Sequence, residues 1–445
     1  MSYHESFQFE SSTELVKKAE ALGIELPFQD NISNLFDEVV IGRGKAANRM
    51  AVQPMEGFDA TPKGSPSELT FRRYRRFGGG GSGIIWFEAT CVAEEGRSNP
   101  RQLMLYEKSL DGFKYLVEET RRSVYKTFGN SREVFLVLQL THSGRYSKPE
   151  GKPAPLVAAF NPFLDRQKED VCILSDEELD FLQLKYIKAA CLAYEAGFDA
   201  VDIKACHGYL VNDLLAAYTR KNSRYGGDFE NRIRFLTEVI KKIHAEVPEI
   251  CLAVRMNAYD GVPYPFGFGS SVDGSYEMDL REPKELVERL IGSGCGIFNV
   301  TAGIPCFNPH VGRPFDRPIQ DESLPEEHPL EGISRLIKMT AELQKSFPKV
   351  PFVGTGYSWL RQFLPNVGAS VVHRGGGALI GLGRSSIAYP DAPKNLMDKG
   401  IMDSRKVCIT CSRCSELMRK SRISGCVIHD RKIYGREYQK LFGCE

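Results

Sequence analysis

Short runs rich in Val and Ile alternate with helical patterns along this chain, and no other feature constrains its fold as tightly. The runs are Arg49–Pro54, Gly83–Ala89, Val134–Thr141, Ala200–Lys204, Cys251–Asn257, Ile297–Ala302, Pro351–Thr355 and Ala378–Gly381. Helical periodicity lies between them, at Gly112–Phe128, Asp176–Ala196, Phe229–Glu246, Pro283–Ser293 and Glu331–Ser346. Ser175, with Glu178 three residues on, forms a capping-box pattern ahead of the second of these helices, and Gly197 fits its C-terminal stop. Parallel strands need a crossover, so the alternation predicts a parallel sheet. Eight strands predict an α/β fold closed as a (β/α)8 TIM barrel, with its reactive groups at the C-terminal strand ends. An open doubly wound sheet is the competing arrangement.

The chain has 445 residues, 42% of them apolar, enough to fill a barrel and still carry additions. Residues 1–40 are expected to be an N-terminal extension that caps the barrel, 41–400 the barrel itself, and 401–445 a cysteine-rich segment. Two long stretches, from about Gly144 to Ser175 and from about Ala302 to Leu330, follow strands on the face where a barrel's site lies. Ordered loops of that length are usually lids or binding loops.

The balance of 58 basic and 57 acidic residues leaves a net charge of +1, so no footprint for nucleic acid or an anionic membrane is expected. The first residues lack a basic segment followed by an apolar core, and no run approaches a membrane span, so the expected location is the cytoplasm. Gly78, Gly80 and Gly83 spell GxGxxG, but they lead into a strand rather than a helix. A dinucleotide-binding turn needs the opposite order, so this run is read as a tight helix-to-strand loop.

Three segments at strand C-terminal ends carry more polar chemistry than packing requires. They are Gln139-Leu-Thr-His142-Ser-Gly-Arg145, Asp202-Ile-Lys204-Ala-Cys-His207-Gly-Tyr209, and Val254-Arg255-Met-Asn. The second is followed by Arg224-Tyr225-Gly-Gly-Asp-Phe-Glu230-Asn231-Arg232. Together with Asn48-Arg49, Pro54-Met55, Gly96-Arg97, Asn308-Pro309-His310 and Gly381-Leu-Gly383-Arg384, these segments resemble the Old Yellow Enzyme family of FMN-binding ene-reductases. The resemblance covers roughly residues 35–430 and is strongest to the 2,4-dienoyl-CoA reductase and trimethylamine dehydrogenase branch.

The resemblance implies an FMN site. Gln139 matches the amide that pairs with the flavin's pyrimidine edge, and Arg255 the cation near its N1 and O2, where the reduced ring carries negative charge. Gly356, Tyr357, Gly383 and Arg384 match the phosphate site after the last two strands. Pro54, Met55, Glu56 and Ala89 are placed against the ring. Lys204 and His207 match the donors to a substrate carbonyl, where enolate charge develops, and Tyr209 the acid that protonates the α carbon, with hydride passing from flavin N5 to the β carbon. His142 and His310 are candidate substrate contacts, although a lone histidine is more often structural.

Two positions depart from the family. Lys204 stands where histidine is usual, and Glu56 where a small, hydroxyl or thiol residue is common. A lysine there would stabilise an enolate or bind a substrate carboxylate; alternatively, it pairs with Glu56 and shapes the site.

Seven cysteines (Cys91, Cys172, Cys191, Cys206, Cys251, Cys295 and Cys306) are scattered and expected to be small buried apolar groups. Five crowd the tail. Cys408, Cys411, Cys414 and Cys426 have the spacing C-x2-C-x2-C-x11-C, which suits a [4Fe–4S] cluster. Zinc is the competitor, but four-cysteine zinc sites usually use two C-x2-C pairs, and here the fourth cysteine stands alone. The spacing also resembles the cluster site of the trimethylamine dehydrogenase branch, whose larger members continue into FAD- and NAD-binding domains. Cys444 falls outside the pattern.

Together these features point to an FMN and [4Fe–4S] reductase of a C=C bond conjugated to a carbonyl or carboxyl. The runner-up is a dehydrogenase or demethylase acting on a small amine or alcohol-type substrate. Expected electron donors are NAD(P)H at the flavin, a ferredoxin, a flavodoxin or a separate flavoprotein subunit; a homo-oligomer stays open.

Overall fold

The computed structural model describes residues 4–443, so Cys444 lies outside the described residues. A hairpin of β1 (Val39–Ile41) and β2 (Gly44–Ala46) leads into the first barrel strand, β3 (Met50–Val52). The other barrel strands are β4 (Ile84–Cys91), β5 (Phe135–Thr141), β8 (Ala200–Ala205), β9 (Cys251–Tyr259), β10 (Cys295–Ala302), β11 (Phe352–Gly354) and β12 (Leu379–Leu382). Between β5 and β8, β6 (Leu156–Val157) and β7 (Cys172–Ile173) form a separate two-residue parallel ladder. The eight barrel strands are each parallel to the next, and β12 pairs back onto β3 to close the ring. All eight sequence-predicted strands are present, and the open sheet is excluded.

Closure follows from burial on both strand faces. Every residue of β4 is buried: Ile84 and Trp86 face the barrel interior with Phe135, Val137, Ala200, Ala253, Ile297 and Val353, while Ile85 and Phe87 face the helical layer. Val39 and Ile41 of β1 and Ala46 of β2 join the interior cluster, so the hairpin plugs the barrel at the end from which the strands start. This leaves the C-terminal strand ends as the open face.

The five expected helices are present, within two residues at each end. Ser175 and Glu178 form the capping box at 2.7 and 3.1 Å. A sixth helix, Glu68–Gly80, runs through glycines that the sequence reading placed in a loop. They sit in its last turn because neighbours come close: a Cβ on Gly78 would fall 2.6 Å from Thr120 O, and one on Gly80 2.0 Å from Pro390 O. The N-terminal helix Ser12–Ala21 docks through Leu15 and Ala19 against an outer cluster that includes Leu330, Ile333 and Trp359. No helix among the described residues is long and apolar enough to cross a membrane.

Both long loops are tied to the barrel. Arg145 bridges Asp165 within the first loop and Asp213 beyond β8, the latter at 2.6 Å. In the second, Asn308 Nδ2 donates to the carbonyls of Asp260 and Gly261 at 3.0 and 2.8 Å.

The C-terminal segment has a small apolar cluster of its own, Leu417, Val427, Tyr434 and Tyr438. It is fastened to the Glu68–Gly80 helix by charge. Arg72 and Arg76 both reach Asp430. Arg73 is fully buried; it bonds Asp59 at 2.5 Å and Glu88 at 2.6 Å, and donates to Ser424 O at 3.2 Å. Burial pushes Glu88 up to about 7 despite the arginine beside it. Removing one partner of a buried charge network leaves the others uncompensated, so Arg73→Met is expected to cost about 3–5 kcal/mol in denaturant unfolding. A loss under about 1 kcal/mol would show the network to be dispensable.

Candidate active site and cysteine cavity

Asp202, in the middle of β8, organises the floor of the open end. Its buried carboxylate accepts from Gln139 Nε2 at 2.6 Å, Trp86 Nε1 at 2.7 Å and the Arg255 backbone N–H at 2.6 Å. Burial raises its pKa to about 6. With Nε2 spent on Asp202, Gln139 has its Oε1 left to offer a bound group. The sequence reading quoted Asp202 without a role; its signal was an acid inside an otherwise apolar strand core.

Arg255 is buried, forms no ion pair among the described residues, and leaves its Nε without a hydrogen-bond partner there. Burial lowers its pKa. Gln53, just past β3, is similar: Oε1 accepts from Asn299 at 2.8 Å while its buried Nε2 has no partner. Buried polar atoms left unpaired are costly and call for a ligand or water. A guanidinium without an ion-pair partner among the described residues, beside amide groups with capacity to spare, suits a cofactor that carries negative charge on a hydrogen-bonding ring, which is what a flavin presents.

The proposed phosphate residues come together after β11 and β12. Ser358 Oγ accepts from the Ser385 N–H at 3.3 Å and joins the two loops. Gly356 has φ +95°, and a Cβ there would fall 2.4 Å from Leu336, so the turn requires glycine. Beside Gly383 a Cβ would meet only Met55 Sδ at 3.8 Å, leaving room for a ligand to approach the backbone. Tyr357 is buried. Arg384 donates Nη2 to Pro314 O at 2.5 Å, keeps a buried, unpartnered Nη1, and lines the cysteine cavity. Pro54, Met55 and Glu56 follow β3, and Ala89 lies near the end of β4, its carbonyl accepting from Gln102 at 3.1 Å.

The reaction-centre candidates converge. Lys204 Nζ lies 3.5 Å from Glu56 Oε1 and 3.2 Å from the centre of the Tyr209 ring. Tyr209 Oη donates to that same Glu56 oxygen at 3.3 Å. Of the two readings of Lys204, the structure therefore shows the internal pair. His207 adopts a left-handed backbone, φ +67°, steadied by Asn257 Oδ1 accepting its N–H at 3.3 Å. Burial, then the charges of Arg255 and Lys204, hold its pKa well below the usual range, so the ring is neutral.

The two weaker candidates sit differently. His142 is buried, its Nδ1 accepts the Gly144 N–H at 3.1 Å, and burial lowers its pKa to about 4. His310 lies 4.0 Å from Glu327 and is about one-third exposed. Arg313, which the sequence reading overlooked, bonds Ser415 beside Cys414 on one side and acts electrostatically on His207 on the other.

Cys408, Cys411, Cys414 and Cys426 all line one cavity, with Arg384, Ser412 and Val427. The loop that carries three of them winds through left-handed residues at Thr410 and Ser412. Backbone N–H groups donate to two sulfurs, Thr410 to Cys408 at 3.4 Å and His429 to Cys426 at 3.3 Å. Such bonds favour thiolate and tune cluster potentials. Burial raises the Cys408 and Cys426 thiols to about 12 and 11. Among the described residues, no three His, Cys, Asp or Glu side chains converge at single-ion spacing.

A closed parallel barrel with a buried amide-and-cation site at its open end defines a TIM-barrel protein of the flavin-oxidoreductase class. The chain belongs to the NADH:flavin oxidoreductase / NADH oxidase family, whose model matches residues 34–273, and so to the Old Yellow Enzyme group. It is 29% identical over 394 residues to an NADH oxidase of Thermoanaerobacter brockii, covering 85% of this chain and 53% of the relative. It is 32% identical over 231 residues to an NADPH dehydrogenase of Clostridium acetobutylicum, covering 51% of this chain and 64% of the relative. The chain thus spans between half and two-thirds of the length of these relatives. Among solved structures, 2-naphthoyl-CoA reductase shares the fold with a TM-score of 0.72 at 22% identity, over 92% of this chain and 58% of that one.

Proposed function

We propose that this protein is an FMN and [4Fe–4S] oxidoreductase that reduces a C=C bond conjugated to a carbonyl or carboxyl. The observation that carries this reading is the placement of Tyr209, an un-ionised phenol, beside neutral His207 at the strand ends that hold Gln139 and Arg255. Tyr209's pKa is raised well above its usual value by burial and by Glu56, so it enters the reaction as an acid with its proton in place.

FMN, when bound, supplies the hydride. The chain's own residues supply the rest. Gln139 and Arg255 would orient the ring, the loops at Gly356 and Gly383 would hold its phosphate, and His207 would donate to the substrate oxygen where charge develops. Tyr209 would protonate the neighbouring carbon. Cys408, Cys411, Cys414 and Cys426 would hold the cluster, with Arg384 and Arg313 as nearby positive charge. The names of the relatives support NADH or NADPH as donor. That of the structural neighbour, a reductase of 2-naphthoyl-CoA, supports a conjugated acyl substrate. A ferredoxin, flavodoxin or flavoprotein subunit is the alternative donor, entering at the cluster.

The test is a screen of the anaerobically purified protein. Enones, enoates and dienoates are offered as acceptors with NADH, NADPH or reduced viologen, and small amines as donors to a dye. Reduction of at least one conjugated acceptor is expected. Amine oxidation without any such reduction would replace this reading with the dehydrogenase one.

A further inference from the structure

Tyr209 cannot turn over twice without recovering its proton, and the groups that surround it suggest where that proton comes from. Its hydroxyl bonds one oxygen, Glu56 Oε1, at 3.3 Å. That same oxygen lies 3.5 Å from Lys204 Nζ, and the ammonium sits over the phenol ring at 3.2 Å. Gln102 Nε2 approaches it at 3.5 Å, while the buried Glu56 Oε2 has no partner among the described residues. Lys204 and Glu56 side chains are each 5% exposed, so water reaches neither freely.

We propose that Lys204 and Glu56 form a proton relay that recharges Tyr209 after each reduction. This rests on the reading of Tyr209 as the acid. When the substrate's α carbon takes the Tyr209 proton, a C–H bond forms and the Oη–H bond breaks, leaving a phenolate. Lys204 Nζ then gives one of its protons to the Glu56 carboxylate at Oε1, and that proton passes on from Oε1 to Oη, so Glu56 ends as the carboxylate it began as. Charge balances: phenolate and ammonium become phenol and amine, and the amine takes a proton from solvent when the product leaves. The fixed ammonium over the ring also steadies the phenolate until it is recharged. Burial lowers the Lys204 pKa, which makes it a readier donor than an exposed lysine. The other titratable groups facing this set are Arg255 and Cys206 beside Lys204, and Tyr146 and Cys306 beside Tyr209. None of these is placed between Lys204 and Tyr209 as the Glu56 oxygen is.

The relay separates the first turnover from later ones. Flavin-loaded enzyme is reduced, mixed with cyclohexenone, and product is counted through the first and later turnovers. For Glu56→Gln, which keeps the shape but cannot shuttle a proton, we expect a first turnover that is fast relative to the later ones of the same variant, whatever its rate against the parent. A steady state at least about tenfold slower should follow, seen as a burst. Tyr209→Phe should lose the first turnover as well. An E56Q steady state equal to the parent's overturns the relay, as does a first turnover slowed as much as the later ones. If Y209F instead reduces cyclohexenone at the parent rate, the reading of Tyr209 as the acid fails before the relay is at issue. A readout independent of turnover is the 13C-tyrosine NMR titration of Tyr209. E56Q should move its midpoint down and Lys204→Met should move it up; no movement in either overturns the contact on which the relay depends.

Discussion

Tyr209→Phe is expected to slow reduction of a conjugated enone by about 10²–10⁴-fold, the range carried by a positioned general acid. The substitution removes one oxygen and keeps the ring, so packing against Tyr146, with ring centres 5.8 Å apart, should survive. Lys204 and Glu56 would still face each other. Binding and orientation by His207, Gln139 and Arg255 do not use the hydroxyl, so flavin content should match the parent. Flavin reduction by NAD(P)H, which needs no proton from this residue, should stay within a few-fold. Stopped-flow measurement of the two half-reactions makes the comparison. Equal slowing of both would mean that the site had been disrupted, not that an acid had been removed.

The second large effect is expected at the cysteines. Cys414→Ser should abolish the iron–sulfur cluster, read as loss of iron and of the broad absorbance near 400 nm typical of such clusters. Cys414 lines the cavity with Cys408, Cys411 and Cys426, and its carbonyl accepts from Ser424 Oγ at 2.8 Å. Stability should fall as well. Segment 401–443 has a small apolar cluster of its own, and it meets the barrel largely through polar contacts, among them Arg72, Arg73 and Arg76 on one side and Arg313 to Ser415 and Arg419 to Glu322 on the other. So small a core needs a staple. Limited proteolysis should therefore open this segment first while the barrel persists. Conversely, Cys172→Ser, far along the chain and exposed, should change neither iron content nor protease sensitivity.

The barrel was legible because its strands are buried on both faces and so appear as unbroken apolar runs. Shorter elements gave no such signal. The β1–β2 hairpin that plugs the barrel is six residues in two strands, with its middle residues Val40 and Lys45 exposed, too short for a period to emerge. The Glu68–Gly80 helix ends in glycines that read as a loop; the reason they are helical is contact with Thr120 and Pro390, which lie far away in sequence. At the site, the resemblance to the family singled out Gln139, Arg255, His207 and Tyr209. What it could not announce was who touches whom. Pairing of Lys204 with Glu56 is one of two alternatives in the sequence, and the fold brings the two to 3.5 Å by placing the segment after β3 beside the end of β8. Asp202 reads as one polar residue among several until three donors converge on it. Arg384, expected at the phosphate, also lines the cysteine cavity, a neighbour that lies far from it in sequence. Charges whose partners are distant in sequence are the part that only packing reveals.

The proposed function joins a flavin and an iron–sulfur cluster in one chain. It is tested most directly by an anaerobic dithionite titration of the purified protein, followed by optical and EPR spectroscopy. The expected result is uptake of about three electrons per chain, two for the flavin and one for the cluster. A cluster signal should appear on full reduction, and both centres should bleach. A protein that takes up no electrons, or that contains zinc and no iron, would contradict it.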